Sequence, residues 1–212
     1  MSWLEKMGLG RLLVAALLMV AAQGVLVSGN ANLLANPGAE DGLSSWVPVA
    51  GDFQSSEGGG GLPSPKEGSR MFWAGSSGFS SIYQEVDLSS NSTVIDSSPV
   101  FFSAGGWARD RDGRDGPLLR VELLDGGGNL VANVSSGPIR CRSWYVYRLD
   151  GRIPPGVRRA RFWLESRRAS GSSNDGYFDG LFFNISSQPP VPPAVSIRTG
   201  PYLQNSTPTS IV

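Results

Sequence analysis

PVFFSAGGWARD, residues 99–110, decides how the rest of the chain is read. At a strand's period of two, Phe102, Ala104 and Ala108 share one face, and Phe101, Trp107 and Arg109 share the other. No run of helical period competes with this pattern anywhere after Asn32. The same alternation recurs on both sides of it. SSIYQEVDLS (80–89) sets Ile82, Gln84, Val86 and Leu88 against Tyr83, Glu85 and Asp87. LLRVELLD (118–125) sets Leu119, Val121 and Leu123 against Arg120 and Glu122. SWYVYRLDG (143–151) sets Tyr145, Tyr147 and Leu149 against Trp144, Val146 and Arg148. RARFWLES (159–166) sets Ala160, Phe162 and Leu164 against Arg161, Trp163 and Glu165. GYFDGLFFNIS (176–186) closes the series, with Tyr177, Asp179, Leu181 and Phe183 expected on one face. DGGGNL (125–130) has the turn chemistry of a hairpin between two of these runs. Strands at this spacing predict an all-β, antiparallel sandwich or jelly roll.

Composition narrows the chemistry. The 212 residues carry 18 basic and 18 acidic side chains, which excludes the broad basic field of a nucleic-acid binder. The chain has no His, so the commonest general base and transition-metal ligand are missing. One cysteine, Cys141, forms no internal disulfide and reads as a small, buried or half-buried side chain. No Ser-His, Cys-His, phosphate-loop or dinucleotide signature is present, so the chain is expected not to be an enzyme.

The N-terminus reads as an export signal. Lys6 and Arg11 precede the apolar run 12–22, and small residues at Gly29 and Ala31 follow. That run is short for a membrane span, so residues 1–31 are expected to be a signal peptide and the mature protein secreted or extracytoplasmic, with no membrane association after cleavage. At the other end, QPPVPPA (188–194) is a stiff, Pro-rich linker. Residues 195–212 start like another β domain but are too few to form a core.

Two resemblances follow from ordered motifs. Residues 32–187 resemble the galactose-binding-like jelly rolls that include many carbohydrate-binding modules. The residues carrying this are NLLANPGAEDG (32–42) with Trp46, then YQEVDLS, the 101–130 region, IPPGVRRARFWLE and GYFDGLFF. The tail, with GPYLQ from Gly200 and TPTSIV to Val212, resembles the opening of the fibronectin type III-like domain that precedes the catalytic domain of purple acid phosphatases. The metal motifs of those phosphatases require His, so that chemistry cannot reside in this chain.

The first resemblance implies a structural calcium shared by a carboxylate after the first strand and an Asp on the last. The matching positions are Glu40 and Asp179, and calcium takes several hard oxygens of this kind. The plainer reading is that these acids solvate a turn and accept backbone hydrogen bonds. RDRDGRDG (109–116) fails the EF-hand spacing, since Arg114 holds its fifth position and Val121 its twelfth, and reads as a solvated loop.

Sugar binding requires a flat apolar surface for the rings and planar polar groups for the hydroxyls. Trp107 with Arg109, and Trp163 with Arg161, combine the two on single strand faces. Alternation alone does not say which sheet face is covered, so packing stays open as the reading for both tryptophans. Trp46, Trp73 and Trp144 read as packing residues. The expectation is a non-catalytic carbohydrate-binding module that ties a downstream, metallophosphoesterase-like domain of the same polypeptide to polysaccharide or another glycan. The alternatives are a structural or protein-interaction sandwich without a sugar site, and an accessory domain packed against a phosphatase-like hydrolase.

Overall fold

The computed structural model describes residues 31–191. The expected signal peptide lies outside them apart from Ala31, as do residues 195–212. Of the Pro-rich linker, 188–191 are described.

Ten strands form two five-stranded antiparallel sheets. They are β1 (Val47–Ala50), β2 (Gln54–Ser56), β3 (Met71–Trp73), β4 (Phe79–Asp87), β5 (Val100–Asp110), β6 (Leu118–Asp125), β7 (Leu130–Ser135), β8 (Tyr145–Ile153), β9 (Val157–Arg167) and β10 (Gly176–Ser186). One sheet has the order β1-β4-β9-β6-β7, hereafter the β9 sheet; the other runs β2-β3-β10-β5-β8, the β5 sheet. The fold is a jelly-roll β-sandwich. A short helix, α1 (Ser92–Ser97), follows β4 and buries Ile95.

The inward faces are those read from alternation. Ile82, Val86, Leu119, Val121, Ala160, Phe162 and Leu164 come from the β9 sheet. Phe102, Ala104, Ala108, Tyr147 and Leu149 come from the β5 sheet, and all join one core. Phe102 stacks on Phe183 with centroids 5.8 Å apart, and Trp46 meets Phe72 edge-on at 4.9 Å. Aromatic contacts of this kind add about 0.5–1.5 kcal/mol beyond area burial. The expected hairpin is present: β6 and β7 pair, and the Gly128 N–H donates to the Asp125 carbonyl across the turn. Cys141 is half-buried against the core, as expected.

Three expectations are corrected. Tyr177 and Asp179 do not share a face with Leu181 and Phe183. The β5–β10 register shifts between Asp179 and Phe182, and this bulge turns the strand over. Gly180 makes the turn at φ 51, in the left-handed region that suits glycine. Leu181 and Phe183 therefore enter the core, while Asp179, paired with Trp107, lies on the outer face under a loop. Second, Tyr145 at the start of β8 is exposed rather than packed with Tyr147. Third, 109–116 is not a solvated loop, because Asp110 and Asp115 are both buried.

The two ends of the domain meet. Asn32 accepts the Phe183 N–H (3.0 Å) and donates to the Leu181 carbonyl (2.8 Å). Buried Gln84 bonds both backbone groups of Ala35. Asn36 donates to the carbonyls of Gly42 and Ser44 and accepts the Asp41 N–H, which closes the NPGAEDG turn.

Candidate functional site

The four residues expected to contact a ligand divide into two pairs. Trp107 and Arg109 stand on β5, and Arg161 and Trp163 on β9, so they occupy the outer faces of different sheets. Strand alternation turns each pair outward, since the intervening residues Ala108 and Phe162 are in the core.

On the β9 sheet, register aligns three outward residues: Tyr83 of β4, Trp163 of β9 and Arg120 of β6. The Tyr83 and Trp163 rings lie 4.7 Å apart at 42°, and the Arg120 guanidinium sits 4.5 Å from the Trp163 ring centre. The next row is Glu85, Arg161 and Glu122. Arg161 donates to Glu85 (2.9 Å) and lies over the Tyr83 ring at 5.0 Å. Glu122 accepts from Trp163 Nε1–H (2.8 Å), and with Glu165 it also holds Arg120. Hydrogen bonding to Glu85 keeps Arg161 further into its charged form than usual. The result is a half-buried aromatic strip edged by fixed guanidinium donors and carboxylate acceptors.

On the β5 sheet, the 57–70 loop between β2 and β3 covers the corresponding surface. Trp107 Nε1–H donates to Glu67 (2.9 Å), and the Lys66 ammonium sits 4.3 Å from the Trp107 ring centre. Trp144 donates to the Ser64 carbonyl (3.2 Å), and Arg109 lies 5.9 Å from the Trp144 ring. Trp107 is thus engaged within the protein, whereas Arg109 Nε is buried without a hydrogen-bond partner. Trp46 and Trp73 pack as expected: Trp46 is buried in the core, and Trp73 donates to the Asn174 carbonyl.

The same loop joins Glu40 to Asp179. Buried Asp179 accepts the Lys66 and Glu67 N–H groups (2.7 and 2.9 Å) and that of Gly180 (2.8 Å). Burial raises its carboxyl above the usual range despite these bonds. Glu40 accepts the Ser69 hydroxyl (2.6 Å) and the Ser69 and Arg70 N–H groups, which hold its carboxyl below the usual range. A Cβ built on Gly38 would lie 3.3 Å from Asp179 Oδ1 and 3.6 Å from Glu40 Oε1. Both carboxylates therefore lie beside Gly38, and each of their four oxygens accepts at least one N–H or O–H hydrogen bond, as the plainer reading of these acids expects. Among the described residues, no group of three or more His, Cys, Asp or Glu is gathered for a metal.

A further buried acid was not anticipated. Asp110, at the inward end of β5, keeps one carboxylate oxygen without a partner. Burial, with Asp115 and Asp112 nearby, pushes its carboxyl up to about 6. Asp115 is fully used, accepting the Ala169 and Asp175 N–H groups, both at 2.7 Å.

Sequence reasoning missed Tyr83 and Arg120 as members of the Trp163 strip. Their outward alternation was visible; their register against β9 was not. It also left 57–70 unassigned, since Gly-rich stretches carry no periodicity.

No family profile and no curated protein sequence matches the chain. Solved structures match in fold. The enzymatically active domain of tailspike protein 4 from bacteriophage CBA120 superposes with a TM-score of 0.55 at 19% identity, covering 73% of this chain and 21% of that one. The arabinose-bound MgGH51 α-L-arabinofuranosidase gives 0.51 at 18% identity, covering 77% and 27%. Family 16 Carbohydrate Binding Module-2 gives 0.50 at 15% identity, covering 72% and 99%. The chain thus spans about a fifth of the tailspike domain, about a quarter of the arabinofuranosidase and nearly all of the binding module. At these identities the likeness establishes the fold.

Proposed function

We propose that residues 32–187 form a non-catalytic glycan-binding module of an exported polypeptide, with its site on the outer face of the β9 sheet. The observation that carries this reading is the Tyr83–Trp163–Arg120 row. It offers aromatic surface for sugar rings beside Arg161, Arg120 and Glu122, whose planar groups match hydroxyls. Its salt bridges hold Arg120 in place before a ligand arrives, which lowers the ordering cost of binding. The fold agrees with this use: one matching structure is named a carbohydrate-binding module. Trp107 is assigned instead to holding the 57–70 loop.

The module would act by tethering. Weak attachment to polysaccharide raises the effective concentration of whatever the linker carries. The resemblance of the tail makes that partner a metallophosphoesterase-like domain. A structural calcium ion would be held by Glu40 and Asp179, whose carboxylates would supply hard oxygen ligands. When bound, the ion would neutralise the two acids and fasten the first turn to β10.

Pull-down of the full chain on insoluble polysaccharides tests the site. Retention that falls at least about ten-fold in Trp163→Ala and is kept in Trp107→Ala is the expected result. Retention indifferent to Trp163 would favour a structural sandwich with no sugar site.

A further inference from the structure

The chain is neutral overall, yet its unpaired cations are unevenly placed. At the end of the β9 sheet a groove of about 290 Å³ is lined by Arg114, Arg140, Arg167 and Arg168, with Phe79 and Glu165. Glu165 is the only acidic side chain in that lining, and Arg120 already holds it. Among the described residues, Arg140, Arg167 and Arg168 have no carboxylate within ion-pair distance. Arg114 has only Asp112, at 3.6 Å.

These guanidiniums are nonetheless positioned. Arg140 donates to the carbonyls of Gly113 (3.4 Å) and Arg114 (2.5 Å). Arg168 donates to those of Ser76 (2.5 Å) and Ser172 (3.1 Å). Arg167 lies 5.1 Å from the Phe79 ring centre. Carbonyls and an aromatic face orient a cation without neutralising it. The groove therefore holds fixed, uncompensated positive charge, the arrangement that takes a carboxylate or sulfate in bidentate fashion.

The groove continues the proposed glycan face. Arg161, Trp163, Glu165 and Arg167 all point outward on β9, and Glu165 belongs to both regions. Trp163 and Arg167 are about 13 Å apart along the strand, at roughly 3.3 Å per residue. We infer that the groove is the acidic subsite of the module, and that its ligand is an anionic glycan bearing uronate or sulfate groups. This rests on the glycan-binding reading above. The neutral part of the chain lies on Tyr83 and Trp163, and an acidic substituent enters among Arg140, Arg167 and Arg168.

The test compares polymers that differ only in charge: polygalacturonate against its methyl ester, and dextran sulfate against dextran, each titrated with the full chain. At low salt, at least one charged polymer should bind about ten-fold or more tighter than its neutral counterpart. That advantage should collapse near 0.5 M NaCl, where charge is screened over a few ångströms. Arg140→Gln with Arg167→Gln should abolish the charge preference, the ratio of charged to neutral affinity within each pair. Arg167→Gln alone, which loses only the Phe79 contact, should reduce it and guards against misfolding of the double variant. Equal affinity within both pairs, or a preference that survives the double variant, overturns the inference while the glycan site stands. Inorganic sulfate competing at equal anion concentration identifies a simple anion site and also overturns it. Loss of Trp163-dependent retention on every polysaccharide overturns the underlying reading instead.

Discussion

Two tryptophans occupy matching positions on the two sheets and have different surroundings. Trp107 on β5 and Trp163 on β9 each stand two residues from an outward Arg. Over Trp107 lies the 57–70 loop, which takes its indole N–H on Glu67 and sets Lys66 over the ring. Among the described residues, no such loop contacts Trp163. Its partners are Tyr83, Arg120 and Glu122, all on the same sheet. A tryptophan beside charge on an outward strand face is therefore not yet a binding residue. What separates the two is whether a distant segment returns to cover the face.

Swapping the tests across the two faces gives the largest expected effect. Trp163→Ala should cost at least about ten-fold in polysaccharide retention, measured by pull-down, and its lost contacts to Tyr83, Arg120 and Glu122 should also lower the thermal midpoint in calorimetry. Trp107→Ala should lose roughly 2–3 kcal/mol in denaturant unfolding as the loop loses its anchor, with retention kept. Equal behaviour of the two variants would break the comparison.

The interior gives the next effect, through Asp110. Its carboxyl is raised to about 6, so below the ordinary value of 3.8 it is protonated whether folded or unfolded. Stability from the bound proton is present at low pH and is lost as pH rises through about 6. Asp110→Asn should therefore be more stable than the wild type at pH 7.5, by up to about 3 kcal/mol, and indistinguishable from it at pH 3. Urea titrations at both pH values check this.

Calcium gives the smallest effect. Added calcium should raise the thermal midpoint by a few degrees, equivalent to about 1 kcal/mol. The shift should vanish with chelator and in Glu40→Gln. A calcium shift unchanged in Glu40→Gln would remove the ion from the space beside Gly38.

The sandwich was legible because alternation is local. Phe162 between Arg161 and Trp163, or Val121 between Arg120 and Glu122, identifies an inward side without knowledge of the partner strand. The three shortest strands, β1 to β3, were not legible. Three or four residues set no period, and they form because neighbouring strands offer edges: β4 to β1, β10 to β3, and β3 in turn to β2. The face of Asp179 was misread for a related reason. The bulge at Gly180 is a property of two strands in register, and a single strand's pattern does not contain it.

The candidate site divides in the same way. Glu40 and Asp179 were matched only through a resemblance; in the structure both approach Gly38, with their oxygens taken by backbone N–H groups of the 57–70 loop. The Trp163 strip needed register across β4, β9 and β6, and the arginine groove needed strand ends and loops from distant parts of the chain.

By itself the sequence determined the all-β class, the inward side of the long strands other than the bulged β10, and the absence of histidine chemistry. These depend on residue type and on neighbours two positions away. Tertiary structure alone decided which outward face is covered, which aromatics align and where unpaired cations gather. Those properties arise between segments far apart in the chain, where no local period reaches.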